Sequence, residues 1–353
     1  MLQNEKTRDL LISHCRTYPR LQIRDIFKFI YQSSFGCEHM VSSSYDVTNY
    51  ILREYQDVSH GEALAEQLDG RYCRVHLSWL DKGLSAETLG KLFFLSAKKE
   101  ENGKKVLIEK LDVARELVKE GLLPFDADEF EIVLNEWEKD GFPSVHHSEE
   151  FRSLYSPSYR VISDRFVPFL PLFAKLDSML KNGKAILAVE GSSASGKSTL
   201  GEILREIYGC TLLHTDDFFL RPTQRTSARY AEAGGNLDRE RFLEEVLMPL
   251  SRNSVIEYRR FDCSSFTLLP AVSITPEKLT VIEGAYSMHP ELSEYYDLSV
   301  FLDISPELQK SRILKRNSPD MAKMFFEKWI PLEKVYFEKM NVKDRCNMVI
   351  EIK

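Results

Sequence analysis

Between residues 191 and 199 the chain reads Gly191-Ser192-Ser193-Ala194-Ser195-Gly196-Lys197-Ser198-Thr199, which meets the spacing G-x-x-x-x-G-K-[ST] at every defined position. Glycines at both ends let the backbone curl until successive N–H groups point inward, where they cradle phosphate oxygens. Lys197 then reaches the β- and γ-phosphates, and the Ser198 hydroxyl is placed to hold Mg2+. The expected ligand of residues 191–199 is ATP with Mg2+. Three acidic residues follow apolar runs further along: Asp216 and Asp217 after Thr211–Thr215, and Glu283 after Leu279–Ile282. Carboxylates beside a triphosphate bind its metal, and phosphoryl transfer to an alcohol also needs a base at the acceptor oxygen. Asp216 or Asp217 is the candidate base, and Asp216, Glu283 and Ser198 are the candidate metal groups.

These groups need a strand, a loop and a helix in that order. Ala185–Val189 is a short uncharged run between Asn182-Gly183 and Gly191, the pattern of a strand buried on both faces. Leu200, Ile203, Leu204 and Ile207 recur at helical spacing before Gly209. Further strands are expected at Thr211–Thr215, Val255–Phe261, Leu279–Ile282, Ser299–Leu302 and Met348–Ile350. Helices are expected from Leu237 to Leu250 with Asp238 as cap, from Ser305 to Arg316, and from about Asp320 to Met340 with a kink or split at Pro331. Such alternation predicts a parallel sheet flanked by helices, with ligands at the carboxyl ends of its strands. Helical patterns dominate residues 1–183, such as Ile26-Phe27-Phe29-Ile30 and Val106–Val118, and predict a mainly α domain ahead of an α/β domain over 184–353.

The chain has 353 residues, a formal net charge of −7 and 43% hydrophobic residues, a composition of ordinary globular proteins. It has no basic excess for nucleic acid and no apolar run long enough for a membrane span. The amino terminus lacks a secretory signal, and six cysteines without a C-x-x-C pair suit a reducing compartment, so a cytoplasmic location is expected. The expected partner is a small-molecule substrate; the oligomeric state is open.

The motif order over 184–353 resembles the uridine kinase and phosphoribulokinase group of P-loop kinases. The resemblance runs through GSSASGKST, His214-Thr215-Asp216-Asp217-Phe218-Phe219-Leu220, Asn236-Leu237-Asp238-Arg239, Tyr258–Asp262, Val281-Ile282-Glu283-Gly284 and Ser311–Arg316. It implies a P-loop NTPase-type fold and an enzyme that moves the γ-phosphoryl group of ATP to a hydroxyl of a nucleoside-like metabolite. By the same resemblance Asp216 is the base, Asp238 holds ribose-like hydroxyls, and Phe219 and Phe261 line the substrate site. Glu283 helps hold magnesium, Lys197 acts on the phosphates, and Arg312, Lys315 and Arg316 form a cationic lid. The chain departs from uridine kinases in having Phe219 where they have tyrosine, and Phe266 near their histidine, which removes polar atoms that read a pyrimidine edge.

Arg221, Arg225 and Arg229 follow the Asp-Asp-Phe-Phe segment and suit either a grip on an acidic acceptor or a solvated surface, the reading the sequence favours. In the front half, Glu38, His39, His76, His146 and His147 are the candidates for a metal or second ligand site, but none has metal-ligand spacing on one helix face. A nucleotide-driven regulatory protein without a small acceptor, and a kinase of a sugar or sugar phosphate, are the alternatives to a nucleoside-like kinase.

Overall fold

A computed structural model describes the chain apart from residues 1, 38–43, 57, 59–61, 63 and 98–99. The chain divides into two compact units, 1–177 and 178–353. Each has its own core.

The first unit is mainly helical. In the Ile23–Phe35 helix, Ile23, Ile26, Phe27 and Ile30 are buried at helical spacing, and Phe27 stacks on Trp137 with centroids 4.8 Å apart. A small antiparallel sheet in the order β1 (Ala65–Gln67), β2 (Tyr72–His76), β3 (Tyr159–Ser163) adds to the expected helices. Its central strand is buried at four successive positions, so it lacks the alternation by which a short strand is read from sequence.

That sheet and the helix share a buried polar chain. Asp25 accepts from the Ser148 amide (2.9 Å) and hydroxyl (2.7 Å) and pairs with His147 Nδ1 at 3.1 Å. His147 Nε2 meets the Tyr159 hydroxyl at 2.6 Å. Arg74 donates to Gln32 at 2.8 Å and to Glu66 at 3.1 Å, and Glu66 bonds His14 at 2.7 Å. His76 accepts from the Ser78 amide and caps a short helical turn. Two candidates for a front-half metal site, His76 and His147, are thus committed to protein partners, while Glu38 and His39 lie outside the described residues. Among the described residues no group of three His, Cys, Asp or Glu side chains is arranged to hold a metal.

The second unit is built on strands β4 (Ala185–Gly191), β5 (Thr211–His214), β6 (Ile256–Tyr258), β7 (Phe261–Asp262), β8 (Thr267–Leu268), β9 (Val272–Ile274), β10 (Leu279–Glu283), β11 (Leu298–Ile304) and β12 (Met348–Ile352). Five of them form one parallel sheet in the order β12-β11-β4-β10-β5. The chain leaves β4 toward β5 and β10 on one side and later crosses to β11 on the other, so the end of β4 is a topological switch point. Register aligns Glu283 with Val189 on one side and His214 on the other.

Two sequence expectations change. Val255–Phe261 is not a strand of the main sheet: β6 pairs antiparallel with β9, and β7 pairs with β8 in a hairpin. The break falls at Arg259 and Arg260, where the Arg259 amide donates to the Glu245 carboxylate instead of a ladder. Pro331 does not split its helix. A π turn, Phe325–Trp329, precedes it, and another, Leu243–Leu247, precedes Pro249. Proline gives no N–H and crowds the carbonyl four residues back; a wider turn accommodates both.

Burial raises the Asp25 carboxyl, but hydrogen bonds from His147, Gln22 and Ser148 outweigh it and hold the group at about 2. Glu66 is likewise pushed up by burial and brought down to about 2 by Arg74 and His14. Folded values below unfolded ones give stability that is present above the unfolded pKa and lost as pH falls through the folded one. Chemical denaturation between pH 6 and 2 is expected to show that loss below about pH 5. Asp25→Asn is expected to cost about 2–4 kcal/mol at pH 7 and to flatten the acid limb; an unchanged limb would remove Asp25 from this account.

Candidate functional site

The loop between β4 and the Lys197–Tyr208 helix takes its shape from three residues with positive φ: Gly191 (148°), Ala194 (64°) and Gly196 (102°). A Cβ on Gly191 would lie 2.7 Å from the Leu302 carbonyl and 2.9 Å from Ser195 Oγ, so only glycine fits. Lys197 Nζ donates to the Gly191 and Ser192 carbonyls at 2.8 and 3.0 Å, folding the ammonium over the loop. Gln309 Nε2 bonds the Ser193 carbonyl at 2.9 Å, and Arg312 Nη1 bonds the Ala194 carbonyl at 3.2 Å. Arg312 therefore reaches the loop. Arg316, on the same Pro306–Arg316 helix, lies over the Phe325 ring at 5.8 Å, and Lys315 is exposed.

The acidic groups gather at the carboxyl edge of the sheet. Ser198 Oγ donates to Glu283 Oε1 at 3.0 Å, and His214 Nδ1 meets the same oxygen at 2.5 Å. That hydrogen bond raises the His214 pKa. Thr199 is exposed beside Ser198. After Glu283 the chain turns at Gly284 (φ 140°), where a Cβ would collide with Thr215 Oγ1 at 2.0 Å; this close approach draws the Thr215–Phe218 turn against the end of β10. Asp216, on that turn, is exposed to solvent. The surrounding protein raises its pKa, Lys197 opposes the rise, and Glu283 adds to it. Asp217 is also raised by burial, opposed by His214, Arg260 and Arg241.

Two buried carboxylates were not singled out from the sequence. Glu190, the last residue before the loop, accepts from the Gly191 amide (2.9 Å), the Met288 amide (3.1 Å) and the Tyr336 hydroxyl (3.0 Å). Burial pushes its carboxyl up to about 7. Its signal was present: a charge directly after the apolar run Ala185–Val189. Glu333 is 4% exposed and accepts from the Ser193 amide (2.9 Å) and hydroxyl (2.5 Å). Burial raises its pKa, and Lys197 opposes the rise. Glu333 and Tyr336 share a face of the Ile330–Lys339 helix, three residues apart, and both are aimed by the π turn before Pro331.

On the expected acceptor side, Asp238 is buried and caps its helix, accepting from the Arg241 amide at 3.4 Å and Nε at 3.3 Å, with Arg221 Nε 3.6 Å away. It lines a cavity of about 590 Å³ with Arg221, Gln224 and Arg229. Arg229 is spent on Glu240 at 2.7 Å and on the Gly235 and Leu237 carbonyls. Phe219 is half-buried and bridges Leu237, and Phe261 is buried in β7. Of these three expected residues, Asp238 is tied to arginines and Phe261 is covered.

Glu333→Gln leaves an acceptor for the Ser193 amide and removes a negative charge within electrostatic reach of Lys197. MgATP is expected to bind about fivefold more tightly, the size of roughly 1 kcal/mol of relieved repulsion at a partly screened site. Isothermal titration calorimetry reads this; equal or weaker binding would reduce Glu333 to a hydrogen-bond acceptor.

The second unit also has relatives. Residues 186–323 match the model of the Phosphoribulokinase / Uridine kinase family. A pantothenate kinase of Psychromonas ingrahamii is 27% identical over 167 residues, 40% of this chain and 51% of that protein, so the chain spans about half the length of this curated relative. A possible uridine kinase from Bacillus stearothermophilus superposes with a TM-score of 0.38 at 19% identity, covering 51% of this chain and 98% of the other. A putative fructose transport system kinase from Silicibacter gives 0.40 at 20% identity, over 48% and 90%. The glycine-lysine loop and the acidic strand ends fall inside the matched segment, so residues 186–323 are similar to the Phosphoribulokinase / Uridine kinase family.

Proposed function

We propose that the second unit is an ATP/Mg2+-dependent kinase that transfers the γ-phosphoryl group to a hydroxyl of a small metabolite. The observation that carries this reading is the gathering of Lys197, the Ser198–Glu283 pair and Asp216 at one edge of the sheet. A regulatory nucleotide switch needs the loop but has no use for a carboxylate beside it on the acceptor side.

In this mechanism the amides of residues 191–199 bind the triphosphate. Lys197 exchanges its carbonyl partners for phosphate oxygens, a swap that keeps the ammonium solvated throughout. Ser198 Oγ and Glu283 form a hard oxygen pair that suits Mg2+. When bound, the metal neutralises charge on the β- and γ-phosphates. Asp216 takes the proton from the acceptor hydroxyl, and its raised pKa makes it a stronger base than a free aspartate. Asp217 faces His214, Arg260 and Arg241 and serves to orient that side of the site. Arg312 brings positive charge to the loop, where the transferring group spreads negative charge over its oxygens. The motif order favours a nucleoside-like or sugar-like alcohol between Asp216 and Asp238. Phe219 and Phe266 add no hydrogen-bonding edge, so pyrimidine selectivity is not part of the proposal.

Asp216→Asn is expected to bind MgATP normally while kcat falls by at least about 100-fold, the low end for losing a general base. Lys197→Ala is expected to lose both binding and turnover. The acid limb of the wild-type kcat–pH profile is expected to lie above the ordinary aspartate range, with activity lost as pH falls through it. ADP release measured across nucleosides, sugars and pantothenate-like alcohols decides between the readings: acceptor-independent release would favour the switch.

A further inference from the structure

The arginines around the acceptor side are nearly all neutralised in place. Arg241 pairs with Asp238 and Glu245, Arg259 with Glu245, Arg229 with Glu240, and Arg239 with Glu232 and Glu291. Arg221 bonds Gln224 and lies near Asp238. Arg260 makes no ion pair among the described residues but is exposed, whereas Arg225 is partly buried against aromatic rings. Among the described residues Arg225 too makes no ion pair, and its hydrogen bond as a side-chain donor runs from Nε to the Leu220 carbonyl at 2.9 Å, leaving both Nη atoms open. Its guanidinium carbon stands 5.6 Å from the Phe261 ring and 5.0 Å from the Phe266 ring.

Two aromatic faces hold that cation, and they come from the β7–β8 hairpin. Phe261 is buried in β7, whereas Phe266 is 51% exposed at the hairpin turn, with φ 56°. A bulky residue in the left-handed region is strained, and a large exposed ring gains nothing from water. Both features are accounted for if the ring's task is to cover the guanidinium. The nearby hairpin acid, Asp262, does not neutralise Arg225: its carboxylate accepts from the amides and hydroxyls of Ser264 and Ser265. β7 of the same hairpin packs against the Thr215–Phe218 turn that carries Asp216, which brings Arg225 to the catalytic edge.

We propose that Arg225, clamped between Phe261 and Phe266, is an anion subsite for the acceptor, so that the molecule phosphorylated at Asp216 carries a carboxylate or phosphate group of its own. The proposal rests on the kinase reading of the second unit. With Nε bonded to Leu220, the guanidinium keeps its Nη1–Nη2 edge, whose two parallel N–H bonds suit a two-oxygen anion, and the aromatic rings limit screening of the pair. Asp216 and Asp217 disfavour an anion at the open edge, so Arg225 decides between charged and neutral alcohols. The transfer itself is unchanged: the acceptor oxygen bonds to the γ-phosphorus, the bond to the β-bridging oxygen breaks, and ADP leaves with that electron pair.

Matched acceptor pairs test this: ribose against ribose 5-phosphate for the phosphate arm, and panthenol against pantothenate for the carboxylate arm. The anionic member of one pair is expected to have a kcat/KM about 10- to 100-fold higher, the range of a charge-assisted hydrogen-bonded pair. Arg225→Gln is expected to collapse that ratio through KM, and Arg225→Lys to restore part of it. Preference for the neutral member, or an equal loss for both members in Arg225→Gln, would overturn the subsite and leave the kinase standing. A second measurement is independent of turnover: phenylglyoxal labelling of Arg225, read by peptide mass, is expected to slow about fivefold or more with inorganic phosphate or propionate and not with ribose. Equal labelling in all conditions overturns the subsite; protection by an anion without acceptor-dependent ADP release keeps the subsite and removes the kinase reading.

Discussion

Four donors converge on the Glu190 carboxylate, and the site depends on that convergence. The Gly191 amide begins the phosphate loop, Ser287 and Met288 belong to the segment after β10, and Tyr336 belongs to the carboxy-terminal helix. One buried group therefore fixes three chain segments that are distant in sequence. A buried carboxyl with no cation bonded to it is costly unless its lone pairs are filled, and here they are. The Tyr336 ring is also fully buried against Tyr286, so the same contact joins polar satisfaction to packing.

Around that knot the loop is shaped by exclusion as much as by attraction. At Gly191 the Leu302 carbonyl, and at Gly284 the Thr215 side chain, comes too close for a Cβ. The first lets β11 pass beside the loop; the second lets the Asp216 turn approach the end of β10. Lys197 curls back on its own loop carbonyls, Glu333 takes the Ser193 amide, and Glu283 takes the Ser198 hydroxyl. The donors that anions require are in this way held in place by weaker partners.

Much of this was legible in the residues. The glycine-lysine spacing, the uncharged run before it and the acidic ends of β5 and β10 defined the sheet edge before any coordinate, because each rests on local chemistry. Asp238 as a helix cap and Ser305 before Pro306 were equally local. What stayed hidden depended on distant contacts. Glu333 and Tyr336 look like ordinary helix residues until the helix is placed against the loop. The small sheet β1–β3 lacked alternation, and the break at Arg259 and Arg260 was decided by Glu245, fourteen residues earlier in sequence than the amide it binds. Arg221, Arg225 and Arg229 were indistinguishable as a string; only their neighbours separated a neutralised pair of side chains from an open one.

The wide turn at Phe325–Trp329 has a bearing on how this chain is set beside others. Each residue advances a helix by about 100°, so one extra residue absorbed in a π turn rotates everything after it by that amount. Proteins that lack a proline at this place and keep a uniform helix would present the same azimuth one residue earlier. An alignment that counts along this arm without a gap would pair Glu333 and Tyr336 with positions pointing elsewhere, and would score as absent a contact that the other chain makes from the adjacent residue.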